Sequence, residues 1–311
     1  MRLPRNGRII EQMKSLAFGE ILWDVFANHQ TLGGAPLNVA GHLARLGADS
    51  CIVSAVGADR RGDEALSLVR ALGVGADYVS ALPGLPTGTA TIFLDKGIPS
   101  YEFNDPCAWD AIDLSEEQLK AIQSAEWDVV CFGTLAQRSP ASRACLRRIL
   151  ESVSAKTVFF DVNLRKNYYS REILEDGLKF ADILKVNDEE VAILAALLDI
   201  PLSADTEESF ADAMIGRYGL RIVLVTLGKA GALARHAGET VRSVPAKVAV
   251  VDTVGAGDSF SAGFLAALGR GCPVSRALSF GAELADFVVT RKGAIPEYDE
   301  ALLRKIAELG A

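Results

Sequence analysis

The chain has 311 residues, half of them hydrophobic, a composition that excludes disordered and fibrous proteins. Its 32 Lys and Arg residues against 40 Asp and Glu residues give a formal net charge of -8, which argues against nucleic acid or an anionic membrane as the partner. The length alone would allow two domains, although an α/β fold of this size often forms one.

Cysteine usage and the N-terminus both favour a cytoplasmic protein. The five cysteines are scattered without a C-x-x-C pair, and there are only three histidines, so neither a zinc site nor a disulfide framework is expected. We expect no signal peptide, because Glu20 and Asp24 interrupt the apolar run that follows the basic N-terminus. The longest apolar runs, such as 191–198, are too short to span a bilayer.

Short apolar or β-branched runs alternate with helical patterns along most of the chain. Strands are predicted at 15–26, 50–56, 127–132, 157–162, 183–186 and 222–226. Helices are predicted at 38–46, 63–72, 115–125, 140–153, 171–181, 189–198 and 206–218. Repeated strand, helix and strand indicates parallel strands with helical crossovers, so we expect a three-layer α/β/α sandwich with a mostly parallel central sheet.

Residues 84–110 break this alternation. Turn-forming glycines and prolines surround two alternating runs at 89–94 and 100–103, which predicts a β-hairpin. Such an antiparallel excursion is either a lid over a site or a plain edge hairpin, and the pattern alone does not choose between them.

The stretch DTVGAGDSF at 252–260 is the most informative one, because it follows an apolar run and opens a helix. Small residues at Gly255, Ala256 and Gly257 let backbone amides converge at the helix N-terminus, where an anion is favoured. Asp258 then suits a base that takes a proton from an attacking hydroxyl. Alternatively, Asp258 caps the helix and the glycines only form a turn.

A second glycine turn, TLGGAPLNVA at 31–40, also leads into a helix. Gly33 and Gly34 allow a polar ligand to approach the backbone closely. The Asn38 side chain offers a donor and an acceptor together, which suits a sugar hydroxyl. The alternative is a simple turn followed by a helix cap.

Together the two glycine motifs resemble those of the PfkB, or ribokinase-like, family of carbohydrate kinases, in the expected order and from about Leu16 onward. The resemblance implies ATP-dependent phosphorylation of a monosaccharide. It also implies one α/β domain over 15–311, with a small β lid inserted as segments near 20–32 and 84–110. In such a lid Phe103 would form an apolar wall of the sugar site.

The resemblance assigns roles to the C-terminal motif. Asp258 matches the family's catalytic base, and Gly255, Ala256 and Gly257 match the hole that holds the transferring anion. Asp252 matches an aspartate near a monovalent cation site, for K⁺, in part of the family.

The resemblance also assigns a nucleotide and magnesium region. Asn187 and Glu190 match an N-x-x-E element that organises Mg²⁺, partly through water. By itself this segment reads as a helix start capped by Asn187, which is compatible with that role. Thr226, Gly228 and Gly231 match a T-x-G-x-x-G loop beside ATP, although a tight hairpin turn would need the same glycines.

Four further residues are implied at the sugar. Asp24 matches a sugar-binding aspartate, and Asn163 and Arg165 belong to a D-x-N-x-R element in which Arg165 bridges sugar and phosphate; otherwise Arg165 is a surface residue. Gln137 is expected to face the sugar. The form G-G-A-P-x-N-V-A is typical of fructokinases, which favours fructose phosphorylated on its 6-hydroxyl.

Several alternatives stay open within this family. A ribokinase, a 2-keto-3-deoxygluconate kinase and a nucleoside kinase differ from a fructokinase by only a few local contacts. A non-catalytic sugar- or nucleotide-binding regulator would have a damaged Gly-Ala-Gly-Asp or N-x-x-E element, and both elements are intact. A homodimer through the lid edge is open as well, because no residue decides it.

Overall fold

The computed structural model describes residues 12–95, 98–203 and 206–309. The strands are β1 (Lys14–Phe18), β2 (Leu22–Val25), β3 (Gln30–Gly33), β4 (Asp49–Gly57), β5 (Val74–Gly75), β6 (Val79–Leu82), β7 (Gly88–Asp95), β8 (Ile98–Phe103), β9 (Glu126–Phe132), β10 (Ser154–Asp161), β11 (Ile183–Asn187), β12 (Ile222–Thr226), β13 (Ala232–His236) and β14 (Glu239–Ser243). The helices are α1 (Ala35–Arg45), α2 (Arg60–Ala71), α3 (Glu116–Ser124), α4 (Pro140–Leu150), α5 (Arg171–Leu178), α6 (Asp188–Leu198), α7 (Thr206–Tyr218), α8 (Ala256–Gly269), α9 (Val274–Val289) and α10 (Glu300–Glu308).

The predicted sandwich is confirmed. The main sheet has the order β14-β13-β12-β11-β10-β9-β1-β4-β5, with β6 also paired to β4. Neighbours from β12 to β5 run parallel, and only the β12-β13-β14 end is antiparallel. Two hydrophobic clusters cover the sheet. One includes buried residues of α4, α5, α6 and α7, and the other includes those of α1, α8, α9 and α10.

A second, four-stranded sheet has the order β3-β2-β7-β8. The predicted hairpin is β7 and β8, which pair antiparallel, while β2 pairs parallel to β7 with Asp24 opposite Ala90. Both segments expected in a lid therefore contribute strands to this small sheet. Whether it moves as a lid stays a prediction.

The prediction of one strand over 15–26 is wrong. The chain turns at Gly19, whose φ of 148° belongs to a region that favours glycine and whose missing Cβ leaves room for the Pro36 ring. β1 therefore enters the main sheet and β2 enters the small one. Apolar residues continue across the turn, so the sequence pattern does not reveal it.

The C-terminal third contains elements that the sequence pattern did not indicate, namely β13, β14, α9 and α10. α9 packs along α8 and covers β13 and β14. α8 begins at Ala256, where the glycines of its motif predict a helix start. All five cysteines are free, and within the described ranges no helix is both long and apolar enough to cross a membrane.

Candidate active site

A cleft of about 290 Å³ lies between the small sheet and the ends of the main-sheet strands. A wider pocket of about 600 Å³ adjoins it and shares Asn187, Thr226 and Gly257 with it. Most predicted site residues line one of the two spaces. They are Asp24, Gly34, Asn38, Phe103, Asn163, Arg165, Asn187, Thr226, Gly228, Gly231, Gly255, Ala256, Gly257 and Asp258.

The two glycine motifs meet at a side-chain hydrogen bond. Asn38 Nδ2, on α1, donates to Asp258 Oδ2, in the first turn of α8, at 2.8 Å. Burial raises the pKa of Asp258 to about 6, and the bond from Asn38 works against that rise. Asp258 is therefore ionised at neutral pH and can accept a proton, as the family base would.

The first turn of α8 presents backbone amides to the cleft. Gly255 precedes the helix with a φ of 77°, and a Cβ there would lie 2.7 Å from Ala294 Cα. The Ala256 amide donates to the Thr253 carbonyl at 3.3 Å, whereas the amides of Gly257 and Asp258 lie in the first helical turn and lack intrahelical acceptors. This turn can hold an anion, provided that another group offsets the Asp258 charge.

The diglycine has a structural cause inside the protein. A Cβ on Gly33 would lie 2.5 Å from Asp24 Oδ2, and a Cβ on Gly34 would lie 2.2 Å from the Glu20 carbonyl oxygen. The close approach is thus made by the chain's own β1–β2 segment. Gly34 lines the cleft, whereas Gly33 supports Asp24 from behind.

Asp24 and Glu20 place two more carboxyl groups at the end of the cleft beside the small sheet. Burial raises the pKa of Asp24 to about 6, although Arg165 opposes the rise. Burial raises the pKa of Glu20 to about 7, and the Ala35 amide donates to this carboxylate at 3.3 Å. Glu20 was not predicted as a site residue. Its signal in the sequence is an acidic side chain within the apolar run 16–23.

Glu190 connects the two loops that carry Arg165 and Asn187. Its carboxylate accepts from the Leu164 amide at 2.7 Å and from the Asn187 amide at 2.9 Å, while Asn187 Oδ1 accepts from the Glu190 amide. This capping box confirms the predicted helix start. Arg165 lines the cleft and, among the described residues, donates only to the Leu164 carbonyl.

A buried ion pair lies below the α8 turn and was also missed by sequence reasoning. Lys185 Nζ donates to both carboxylate oxygens of Asp161, at 2.9 and 2.8 Å. Burial alone would lower the pKa of Lys185, but Asp161 and Glu190 outweigh it and raise that pKa. The only signal in the sequence is one lysine inside an apolar strand.

The predicted nucleotide loop lies in the wider pocket. Thr226, Gly228 and Gly231 line it, together with Pro245 and Asp286. Gly231 has a φ of 98°, and a Cβ there would lie 2.0 Å from the Ser243 carbonyl oxygen. The loop also joins the antiparallel strands β12 and β13, so the expected hairpin turn and the expected pocket coincide.

Four predicted residues, Gly33, Gln137, Glu190 and Asp252, line neither the cleft nor the wider pocket. Gln137 is buried, donates to the Gly133 carbonyl at 2.7 Å, and lines a separate pocket beside α4. Asp252 accepts from the amides of Val254 and Gly293, so it fastens the 293–294 segment against Gly255. Phe103 does line the cleft, with its ring edge-on to Tyr168 at 6.0 Å between centroids.

Few protein groups near Asn187 are available as magnesium ligands. No group of three or more His, Cys, Asp or Glu side chains within the described ranges could hold a metal ion. Mg²⁺ keeps several waters and is commonly held through nucleotide phosphates, so a site with Asn187 and few other protein ligands suits it. The Glu190 carboxylate, occupied by two amides, would act there by holding Asn187 in place.

The fold, and the meeting of the two glycine motifs in one cleft, are those expected of a carbohydrate kinase. The sequence profile of the pfkB family carbohydrate kinases matches residues 8–301, and the chain belongs to that family. It is a phosphotransferase with an alcohol group as acceptor, and it binds ATP.

The relatives of the chain are kinases with several different activities. Fructokinase from Klebsiella pneumoniae is 31% identical over 280 residues, covering 86% of this chain and 88% of that protein. Nucleoside kinase from Methanothermobacter thermautotrophicus is 28% identical over 281 residues, covering 89% and 85%. Fructokinase from Xylella fastidiosa, solved with bound ATP, superposes with a TM-score of 0.80 at 24% identity, covering 95% and 97%.

Proposed function

We propose that the protein transfers the γ-phosphate of ATP to the primary 6-hydroxyl of fructose. The observation that carries this proposal is that Asp24 and Asp258 line one cleft with Arg165. A carboxylate that accepts from neighbouring hydroxyls selects a polyol. A sugar held by Asp24 would then present a hydroxyl to Asp258, beside the amides of α8.

The proposed mechanism assigns each step of phosphoryl transfer to residues that line the cleft. Asp258, kept in place by Asn38, accepts the proton of the attacking hydroxyl. The amides of the α8 turn and the Arg165 guanidinium stabilise negative charge on the transferring group. The small sheet covers the sugar and limits access of water. Mg²⁺, when bound with the nucleotide, would neutralise phosphate charge near Asn187.

The charge of the sugar end favours a neutral acceptor. Glu20 and Asp24 line this end of the cleft, and Lys185 is already paired with Asp161. Arg165 is therefore the cation that would have to bind an anionic group of the sugar in addition to the transferring phosphate. A sugar acid such as 2-keto-3-deoxygluconate would meet the Asp24 carboxylate there, and also that of Glu20 above about pH 7. This argument and the 31% identical fructokinase both support a neutral ketohexose, with ribose and nucleosides as the competitors.

A panel of acceptors tests the proposal. ADP release is followed with ATP and Mg²⁺ on fructose, ribose, glucose, adenosine and 2-keto-3-deoxygluconate, and phosphorus NMR identifies the phosphorylated hydroxyl. We expect the highest kcat/KM on fructose, with the phosphate on the 6-hydroxyl and no activity in EDTA. Equal or better use of another acceptor would reject fructose, and binding without turnover of any acceptor would favour the non-catalytic regulator.

A further inference from the structure

Lys185 is a buried cation that the mechanism above does not use. It lies in β11, between β10 and β12, with 6% of its surface exposed, and it lines the cleft. Asp161, at the end of β10, is its register partner in the adjacent parallel strand. Their side chains therefore lie side by side on one face of the sheet, which explains the double hydrogen bond.

This ion pair extends to the helix that carries the base. The Ser261 hydroxyl, on α8, lies 3.1 Å from Asp161 Oδ2 and 2.9 Å from the Gly257 carbonyl oxygen. A Cβ built on Gly257 would lie 3.4 Å from Lys185 Nζ. The lysine ammonium group is thus packed directly against the turn that presents amides to the cleft.

Stability alone does not account for a charged pair at this place. A buried ion pair loses about as much by desolvation as it gains, and apolar side chains of similar size are often equally stable there. The α8 turn above the ion pair, however, contains negative charge where the phosphate is expected to bind. Asp258 sits in that turn and would repel a phosphoryl group, while Glu20 and Asp24 add two carboxyls nearby.

We propose that Lys185, fixed by Asp161, is a positioning residue for phosphoryl transfer, which supports the α8 turn and supplies positive charge beneath it. Asp161 sets the position of the ammonium group, and Ser261 ties both to α8. Lys185 also interacts with the charges of Asp258 and Glu190, so it offsets the acidity of the site where the phosphate must come. The proposal rests on the assignment of the α8 turn as the phosphate site and is independent of the sugar.

Two variants separate a functional from a structural role. Lys185→Met leaves the Asp161 carboxylate buried without its partner, so both Tm and kcat should fall. The double variant Lys185→Met with Asp161→Leu replaces the ion pair by apolar side chains and should recover Tm. We expect its kcat to stay about 100-fold below that of the unchanged protein, as when one charge-stabilising donor is lost, with the KM for the sugar little altered.

The outcomes are distinct. Recovery of kcat together with Tm in the double variant would show that the pair is only structural and would overturn the proposal. Lys305→Met is the matched control, because it breaks the surface ion pair between Lys305 on α10 and Glu283 on α9. It should change neither Tm nor kcat. Asp258→Asn is assayed beside these variants, because its failure to lower kcat would instead reject the assignment of the α8 turn.

Discussion

The side chains of Asn38 and Asp258 are joined by a 2.8 Å hydrogen bond although 220 positions separate them in the chain. The bond links α1, which begins at the diglycine, to α8, which begins at the second glycine motif. Asn38 Oδ1 is buried and has no hydrogen-bond partner within the described ranges. Because that oxygen is closed to solvent, Asn38 acts on the base through its amide nitrogen, which donates to Asp258.

Asp258→Asn tests the base directly. The substitution keeps the shape of the side chain and a carbonyl oxygen for Asn38 but removes the proton acceptor. We expect kcat to fall by about 100-fold to 10,000-fold, while ATP binding measured by calorimetry is retained. Near-normal turnover would contradict the role of Asp258.

Asn38→Ala should change the pH dependence of kcat. The hydrogen bond from Asn38 stabilises the ionised form of Asp258, and its loss raises the pKa of Asp258 further above the present value of about 6. Activity requires the ionised base, so the acidic limb of the kcat profile should move to higher pH. The groups that otherwise act on this carboxyl, Asp161, Lys185 and Arg165, are unchanged in the variant.

The Asn38→Ala profile is measured at saturating sugar, since a lost sugar contact would otherwise appear as a change in KM. Asn28→Ala, on the exposed β2–β3 turn, is the control and should leave the profile in place. An unshifted acidic limb in Asn38→Ala would show that the bond does not tune the base.

Glu20→Gln should stabilise the protein in a defined pH window. The folded chain holds the Glu20 proton up to about pH 7, whereas the unfolded chain releases it near the ordinary value of 4.5. Between those values the folded state binds more protons, so stability falls as pH rises, and the penalty is complete above pH 7. Gln removes this penalty and keeps an acceptor for the Ala35 amide.

The gain from Glu20→Gln has an upper bound on the order of 3 kcal/mol, since each pH unit of pKa difference corresponds to about 1.4 kcal/mol. Tm measured at pH 8 should rise, and Tm at pH 4.5 should barely change. Glu64→Gln, an exposed position on α2, serves as the comparison. A Tm increase of the same size at both pH values would indicate that the charge is not the cause.

Gly255→Ala and Gly238→Ala compare two glycines with nearly the same φ, 77° and 81°. A Cβ on Gly238 meets nothing within 4 Å, so Gly238→Ala should cost only the strain of a left-handed residue, about 1 kcal/mol. A Cβ on Gly255 meets Ala294, so the turn must shift. Gly255→Ala should therefore lose more stability in urea unfolding and also lower kcat. Equal effects of both substitutions would show that the contact is unimportant.

Glycine motifs made part of the site predictable. Asp258 and Asn38 follow glycines that begin helices, and such local signals survive in a single sequence. Glu20 and Lys185 belong to no glycine motif. Their only signal is a single charge within an apolar run, which does not say what the side chain contacts. What they contact depends on tertiary pairing, as the opposition of Asp161 and Lys185 in neighbouring strands shows.

The fold was predictable where elements alternate regularly. The turn at Gly19 escaped prediction because apolar residues lie on both sides of it and belong to two different sheets. Gln137 was expected at the sugar, but the short helical turn at Leu135–Arg138 packs its side chain inside the protein. Which way a side chain faces in such a turn is decided by packing rather than by a sequence period.

The small sheet carries Asp24 and Phe103, whereas the main sheet and its helices carry Arg165, Asn187 and Asp258. In the proposed function, the small sheet would thereby supply two of the sugar contacts, while the α8 turn and Asn187 would serve the phosphoryl chemistry. During divergence, substitutions in the four short strands, together with Asn38 and Asn163, would then alter the choice of sugar while Asp258 and the α8 turn stayed unchanged. Replacing these strands with those of a relative would be expected to transfer part of the acceptor specificity of that relative.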